Sequence, residues 1–195
     1  MKCNLVNRLI VPLAAVAGML IAVNVDAAVI AGPIINPANG HAYTLLDAAD
    51  WNASEAEAVA LGGHLVTIND PTENSWVFDT FVPLLPAGPN AIWLGLNDAL
   101  NEGSFVWASG ESASYTNWSA GQPDNARGVE DYAHIWTPQS VPQAPEVWQQ
   151  WNDLSADWPG LYGLVESIPE PSSFSLLAIG LFSVLGLCGR MKHRQ

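Results

Sequence analysis

Two segments in the first half of the chain are predicted to be helices. Helix-forming residues fill positions 55–61, a polar segment at 52–54 caps them, and the glycine pair at 62–63 ends the helix. An Asn-Asp-Pro sequence at 69–71 begins a second helix, whose apolar side chains recur on one face. The residues on that face are Trp76, Val77 and Phe81.

The other apolar runs are short and bounded by turn residues, which is the pattern of β-strands. Loops rich in proline or glutamine interrupt them at residues 82–90 and 137–147. The order along the chain is strand, helix, strand, helix and then mostly strands, which predicts an α+β fold. The predicted strands cover residues 42–46, 64–68, 91–96, 105–107, 131–136 and 163–168.

Residues 1–27 have the layout of a secretory signal peptide. Lys2 and Arg8 precede an apolar run at 9–23, and small residues lead to a cleavage position after Ala27. The apolar run is shorter than the ~20 residues that an ordinary transmembrane helix needs. We therefore expect a signal peptide over residues 1–27, with an uncleaved membrane anchor as the alternative.

The C-terminus carries a second signal, over residues 168–195. A Pro-Glu-Pro sequence at 169–171 precedes an apolar segment at 174–189 and a basic tail. This order resembles the PEP-CTERM sorting signal, which exosortases process in Gram-negative bacteria. The resemblance implies export, transient anchoring in the inner membrane, cleavage near the motif, and a final place at the cell surface or in the extracellular matrix. A plain C-terminal transmembrane anchor is the alternative.

The two signals leave residues 28–167 as one domain, which is long enough to bury its own core. The whole chain has a formal net charge of −13, and Arg127 is the only lysine or arginine between the signals. Such an acidic domain repels nucleic acid and anionic lipid and attracts cations. Cys3 and Cys188 both lie in the signals, so the domain itself has no disulfide.

Carboxylates are concentrated in the second half of the domain, where the predicted loops are longest. If these loops converge, the like charges repel by roughly 1 kcal/mol or more per close pair, and a divalent cation would reverse that sign. Ca²⁺ prefers carboxylate, amide and carbonyl oxygens, whereas the lack of thiolates and the scattered histidines argue against zinc. The carboxylates are Asp98, Glu102, Asp124, Glu130, Asp131 and Asp153.

Four short sequence elements occur in the order found in C-type lectin-like domains. Trp-Leu-Gly-Leu at 93–96 and Gln-Pro-Asp at 122–124 are followed by Glu-Asp at 130–131 and Trp-Asn-Asp at 151–153. The resemblance extends over a core at about residues 40–166. It implies an α+β, C-type lectin-like fold in which two helices pack on antiparallel sheets beside a long calcium-binding loop region.

The same resemblance implies one calcium site that also binds carbohydrate through two vicinal sugar hydroxyls, next to a cis peptide bond before Pro123. The ligands for both calcium and carbohydrate are Gln122, Asp124, Glu130, Asn152 and Asp153. A second, weaker metal site would use Asp98, Glu102, Asn125 and Asp131. Ordinary turn chemistry is the alternative role for Asp98 and Glu102.

Departures from the family pattern bear on stability and specificity. Positions 58, 132 and 165 hold alanine, tyrosine and valine where the family usually has cysteine, so we expect calcium to contribute more to stability here. Residues 137–146 are an insertion at the rim of the site, which either shapes specificity or is a plain surface loop. Gln-Pro-Asp is associated with galactose-type ligands, but Ala126 lies where such domains have a stacking aromatic residue. Either Trp148 or Trp158 would have to supply that aromatic ring, unless both belong to the core.

These inferences favour calcium-dependent carbohydrate binding by an exported, surface- or matrix-associated protein. The alternative is a calcium-stabilised protein-interaction or structural module of the exopolysaccharide matrix that binds no sugar. We expect no enzyme activity, because ion ligation explains Asp124 and Glu130 better than a glycosidase carboxylate pair does. The expected partners are a galactose-type sugar or exopolysaccharide and the processing exosortase, with the membrane contacted only through the terminal signals.

Overall fold

A computed structural model of the chain describes residues 28–88, 90–158 and 160–169, which form an α+β domain. The predicted signal peptide and the apolar segment at 174–189 lie outside this described part. Within it, no helix has the length and apolar character needed to span a membrane. The helices are α1 (Trp51–Ala60) and α2 (Pro71–Phe81), and the strands are β1 (Val29–Ile35), β2 (Ala42–Ala48), β3 (His64–Leu65), β4 (Ala91–Asn97), β5 (Val106–Trp107), β6 (Tyr132–Ile135), β7 (Trp151–Leu154) and β8 (Leu161–Ser167).

The strands form one sheet with β8 near its centre. The order across the sheet is β1-β2-β8-β4-β6-β7, with β3 also paired to β8 and β5 also paired to β4. These neighbours are antiparallel except for β4 and β8, which run parallel. The predicted class is therefore confirmed, with one parallel pair inside an otherwise antiparallel arrangement.

Both helices begin after an aspartate that accepts hydrogen bonds from the first turn. Asp70 accepts from two backbone N–H groups of α2, as the Asn-Asp-Pro sequence predicts. The other helix begins earlier than predicted. Its cap is Asp50 and not the segment 52–54, because the Asp50 carboxylate accepts from the Ala53 N–H and lets the buried Trp51 open the helix.

Apolar packing occupies the positions where the family usually has cysteine. Ala58 and Val165 are both buried in the smaller of two core clusters, which α1 covers. Tyr132 packs against Trp51 with ring centroids 4.5 Å apart. The domain thus fills these positions with buried apolar area, which stabilises the folded state directly and does not depend on a cross-link.

A buried polar network joins α2 to strands β2 and β8. The Tyr43 hydroxyl lies 2.6 Å from Glu73 Oε1 and 2.8 Å from Glu166 Oε1. His41 Nδ1 lies 2.6 Å from the same Glu166 oxygen. Burial is the main cause that raises the pKa of Glu73, and hydrogen bonds from Tyr43 and from the Asn69 N–H oppose it. Glu73 therefore retains a proton more readily than an exposed glutamate does.

Gly95, in the Trp-Leu-Gly-Leu sequence, lets β4 lie close to the segment that follows β3. A methyl group at this position would lie 2.5 Å from the Leu65 carbonyl oxygen. The Gly95 N–H donates to the Val66 carbonyl, and the Gly95 carbonyl accepts from the Ala108 N–H. These bonds fix β4 in the centre of the sheet, where it supports β6 and the loops beyond it.

Two strands are missing from the sequence prediction and a third is shorter than predicted. β1 has no regular alternation of buried and exposed residues and pairs with β2 through register shifts. β7 coincides with the Trp-Asn-Asp sequence, whose polar residues are buried and so hide its strand character. β3 stops after Leu65, and the next residue, Val66, bonds to both Leu164 of β8 and Gly95 of β4.

Candidate functional site

Two neighbouring strands place the first of the predicted ligands. Asn152 of β7 lies opposite His134 of β6, and Asp153 follows it in the strand. The preceding Trp151 is fully buried, and its indole N–H donates to Asn74 Oδ1 at 2.8 Å. Because this anchor fixes β7, the two ligands are held in a set orientation.

The loop that contains Gln-Pro-Asp is bound to β7 through Asp153. The buried Asp153 carboxylate accepts hydrogen bonds from the Asp124 N–H at 3.1 Å and from the Asn125 N–H at 2.7 Å. Asn125 adopts a left-handed conformation with φ 43°, and its Oδ1 accepts from the Glu130 N–H at 3.1 Å. The Gln122–Pro123 peptide bond is cis, as predicted. These contacts bring the carboxylates of the loop to the end of the strand.

Asp124, Glu130 and Asp153 form a cluster of carboxylates. Their ligand oxygens all lie within 4.8 Å of one another, and no other group of three potential metal-ligating side chains occurs in the described part of the chain. Burial is the main cause that raises the pKa of Glu130; a hydrogen bond from the Ala126 N–H lowers it, and the charges of the two aspartates raise it further. The cluster is unfavourable by itself and attracts a cation.

Two amide oxygens lie beside this cluster. Gln122 and Asn152 line the same cavity as Asp124 and Glu130. Gln122 Oε1 is buried and has no hydrogen-bond partner among the described residues, a situation that costs about 1–3 kcal/mol. Asn152 Nδ2 donates to the Asp153 carbonyl and lies 3.3 Å from His134 Nε2, so the Asn152 Oδ1 atom is the one left for a ligand.

His134 fixes the orientation of the Asn152 amide. The ring is buried in β6, and burial lowers the pKa of His134 to about 4, so it is neutral at neutral pH. Because Asn152 Nδ2 is a donor, His134 Nε2 must accept, which assigns the ring proton to Nδ1. The strand register, which places His134 opposite Asn152, thus gives the histidine a role in orienting a predicted ligand.

The donor atoms of this site fit calcium. The predicted ligands offer carboxylate and amide oxygens, which are the hard ligands that Ca²⁺ takes at a coordination number of about 6–8. The buried, unpartnered Gln122 oxygen is the atom that such an ion would satisfy. Nitrogen and sulfur ligands, which zinc prefers, are absent from the three-carboxylate cluster.

The residues of the second predicted metal site do not converge as those of the first do. Asp98 is buried, and its Oδ2 accepts from the Gly103 N–H at 2.7 Å, which is turn chemistry. Burial mainly raises the pKa of Asp98, and the charges of Glu102 and Asp131 add to this effect. In the described residues these three carboxylates do not form a metal-ligating group, and the Asn125 side chain is bonded within its own loop. The second site therefore stays a prediction.

Comparison with protein families identifies the domain. The family model described as Lectin C-type domain matches residues 47–162, more than half of the chain. The chain belongs to the C-type lectin domain family. The PEP-CTERM protein-sorting motif matches residues 167–193, and this match begins at the last residue of β8. Both predicted resemblances are confirmed.

Two curated relatives match this lectin domain in sequence. A perlucin-like protein of Mytilus galloprovincialis is 37% identical over 109 residues, which cover 55% of this chain and 64% of the relative. An alpha-N-acetylgalactosamine-specific lectin of Patiria pectinifera is 33% identical over 103 residues, covering 50% of this chain and 60% of the relative. The chain thus spans slightly less than two thirds of these relatives. A family named for lectins agrees with the prediction that the chain is not an enzyme.

Solved structures share the fold. The C-type lectin CEL-I from Cucumaria echinata matches with a TM-score of 0.56 at 28% identity, covering 65% of this chain and 89% of that one. A calcium-independent type II antifreeze protein matches with a TM-score of 0.55 at 18% identity, covering 72% of this chain and 95% of that one. Because one fold occurs in both, the side chains at the site, and not the fold, determine whether this lectin domain binds calcium.

The cavity beside the carboxylate cluster has an aromatic wall that the sequence analysis identified only in part. The cavity has a volume of about 440 Å³, and Trp136 and Trp158 line it together with Ser140 of the insertion. Trp158 was one of two tryptophans predicted to replace an aromatic ring at Ala126. Trp136 was missed, although its place two residues after His134 in an extended segment puts both side chains on one face.

Trp148, the other tryptophan considered as a replacement for the ring missing at Ala126, has a different role in this lectin domain. Its indole N–H donates to the Val141 carbonyl at 3.1 Å and so holds the insertion together. The insertion also bonds to the residue before β4 through Thr137, whose hydroxyl donates to the Asn90 carbonyl. Residues 137–146 are thus a structured rim that contributes Ser140 to the cavity, which supports the specificity role over that of a plain surface loop.

Proposed function

We propose that this chain is a calcium-dependent carbohydrate-binding protein. The observation that carries the proposal is the convergence of Asp124, Glu130 and Asp153, with ligand oxygens within 4.8 Å of one another. Like charges at this separation repel unless a cation lies among them. The neighbouring Gln122 oxygen, buried and without a partner in the described residues, adds a neutral ligand of the kind that Ca²⁺ accepts.

The five side chains have distinct parts in this proposal. Asp153 is buried and already accepts two backbone N–H groups, so it fixes the loop and offers its remaining lone pairs to the ion. Gln122, Asp124, Glu130 and Asn152 line the cavity and can also bond to sugar hydroxyls. A bound calcium ion supplies coordination positions for two vicinal hydroxyls. The result is reversible recognition of a diol, with no bond made or broken.

A galactose-type sugar is the proposed ligand class. The Gln-Pro-Asp sequence at 122–124 is associated with such ligands. The Patiria pectinifera relative is named for alpha-N-acetylgalactosamine, which belongs to the same class. The exopolysaccharide of the surrounding matrix is the natural source of such a sugar for a protein that carries a PEP-CTERM motif.

The proposed cellular place follows from the terminal signals. Residues 1–27 would be removed as a signal peptide, residues 28–167 would form the exported lectin domain, and residues 168–195 would serve as the sorting signal. Support comes from the sorting-motif match at 167–193 and from the lectin match at 47–162. We propose transient anchoring in the inner membrane of a Gram-negative bacterium, followed by exosortase processing and association with the surface or matrix.

A glycan array read in calcium and in chelator tests this function. We expect signals on galactose-type glycans that disappear in chelator and in Glu130→Gln. Glu111→Gln is the matched control, because it removes the same charge from an exposed carboxylate outside the cluster. Glycan signals that persist unchanged in chelator would rule out calcium-dependent recognition.

A calcium-stabilised protein-interaction module of the matrix is the second candidate function. Ala126 favours it, because the residue offers no ring to stack on a sugar. This candidate predicts that calcium raises the melting temperature while the glycan array stays blank.

A further inference from the structure

The cavity beside the carboxylate cluster extends beyond the residues that would hold the ion. It is lined by Gln122, Asp124 and Glu130, and also by Trp136 and Trp158. Its volume of about 440 Å³ lies in the range of about 300–1,000 Å³ that buries molecules of drug size, which is the size of a disaccharide rather than of one sugar ring. The cavity therefore has room for more than the sugar that the cluster would bind.

Trp136 is held in place before any ligand arrives. Its ring meets the ring of His134 edge to face, with centroids 4.5 Å apart and an interplanar angle of 85°. His134 in turn meets Trp93 at 6.3 Å and 88°. The backbone of Trp136 is held as well, because its backbone N–H donates to the Gln150 carbonyl at 2.8 Å and its carbonyl accepts from the Gln149 N–H at 3.1 Å. A ring fixed in this way loses little conformational freedom on binding.

Trp158 presents a large apolar surface to solvent at the same cavity. All nine tryptophans lie in the described part of the chain, and Trp158 is the one that is exposed, at 53%. It follows β7 in a turn closed by a hydrogen bond from its own N–H to the Ser155 carbonyl. Exposing an indole ring is unfavourable, and an apolar surface beside polar ligating groups is typical of a binding site.

Resting on the proposed function, we infer that Trp136 and Trp158 form a second sugar subsite. This subsite binds the residue next to the one held at the carboxylate cluster, so the ligand is an oligosaccharide or the end of a polysaccharide. A pyranose ring has one face made of C–H groups, and that face packs on an aromatic ring while the hydroxyls at its edge stay hydrated. Ser140 lines the same cavity, and its side chain can bond to those hydroxyls.

The two subsites differ in whether they need calcium. The cluster recognises a diol and needs the ion, whereas the aromatic wall contributes dispersion and apolar burial and needs none. If a sugar face packed on an indole ring gains what a pair of aromatic rings gains, about 0.5–1.5 kcal/mol, its affinity changes by about two- to tenfold. Removing one ring should therefore lower the affinity for oligosaccharides by that factor and leave the affinity for the terminal monosaccharide unchanged.

The experiment measures dissociation constants in calcium for galactose, N-acetylgalactosamine, and di- and trisaccharides that end in either sugar. We expect the wild-type protein to bind at least one oligosaccharide about three- to tenfold more tightly than its terminal monosaccharide. Trp158→Ala should abolish this difference and keep the monosaccharide affinity, and Trp158→Phe should restore part of it. Val59→Ala, which shortens an equally exposed apolar side chain on α1, is the control and should change nothing.

The outcomes separate this inference from the proposed function. Absence of binding to every sugar in calcium would count against the proposed function itself. Ion-dependent binding that Glu130→Gln abolishes, together with equal affinity for monosaccharides and all oligosaccharides, would overturn the second subsite alone. The second subsite would also be overturned if Trp158→Ala lowered the affinity for a monosaccharide and for its oligosaccharide equally, because the ring would then belong to the first subsite.

Discussion

Replacing Glu130 with glutamine tests the carboxylate cluster in a way that distinguishes an ion site from ordinary polar packing. The ligand oxygens of Glu130, Asp124 and Asp153 lie within 4.8 Å of one another. Glutamine has nearly the same shape and can still accept the hydrogen bond from the Ala126 N–H. The main effect of the substitution is therefore the loss of one negative charge, and its sign depends on whether calcium is present.

In calcium-free protein the substitution removes two repulsive pairs. Two unit charges separated by 4.8 Å interact by about 0.9 kcal/mol in water and about 3.5 kcal/mol at an effective dielectric constant of about 20. Glu130 is half-buried and lines a cavity, so the lower value is used for each pair. We expect the free energy of unfolding of the calcium-free variant to exceed that of the wild type by about 1–2 kcal/mol.

Calcium reverses this order. At a concentration of about 100 times the dissociation constant, the ion stabilises the wild type by about 2.7 kcal/mol, and a variant that has lost the ion gains none of this. The wild type should then be the more stable protein by about 1 kcal/mol. The loss of disulfides from this domain makes the effect easy to observe, because no covalent cross-link masks it.

Urea unfolding followed by circular dichroism, in chelator and in calcium, measures both differences. Glu111→Gln serves as the control and should shift neither curve by more than a few tenths of a kcal/mol, because its carboxylate lies outside the cluster. The reasoning fails if Glu130→Gln destabilises the protein by the same amount in both buffers, since Glu130 would then act only as a hydrogen-bond acceptor.

Three further predictions concern the scaffold. The folded-state pKa of Glu73 is raised above its ordinary 4.5. The stability that protonated Glu73 contributes is therefore complete below about pH 4.5 and is lost as pH rises through the raised pKa. In chelator, the melting temperature should fall with rising pH more steeply for the wild type than for Glu73→Gln, and parallel curves would contradict this. Tyr43→Phe should lower the free energy of unfolding by about 1–3 kcal/mol, because two buried carboxylates lose their hydroxyl partner. The control Tyr162→Phe in β8 should cost less than Tyr43→Phe, and equal costs would show that the network contributes nothing. Gly95→Ala should lower the free energy of unfolding by at least about 1–3 kcal/mol, because its methyl group meets the Leu65 carbonyl, and an unchanged urea midpoint would disprove this close approach.

The ion ligands could be predicted from sequence because short motifs fix their local geometry. Asn152 and Asp153 come from one strand, and their neighbour Trp151 is an obvious core residue. Asp124 and Glu130 come from one loop, whose backbone bonds to Asp153. Only two chain segments therefore have to meet, and the pairing of β6 with β7 brings them together.

The starts and ends of elements were harder to predict because several residues could serve the same local purpose. The segment 52–54 has good capping residues, yet Asp50 caps α1, since Trp51 must be inside the helix to reach the core. β1 could not be recognised from its pattern, because an edge strand with irregular pairing has no single buried face. In each case tertiary packing decides among local options that the sequence leaves equivalent.

The aromatic wall shows why ligand preference is less predictable than ion binding. Trp136 and Trp158 lie on either side of β7 in the chain, and neither belongs to a motif. They line one cavity only because β6 pairs with β7 and the fold brings the segments after these two strands together. The ion site depends on residues whose type and spacing are both constrained, whereas the wall needs only a ring at the right place in space. Substitutions in the wall should therefore change which glycans bind and leave calcium affinity as it is.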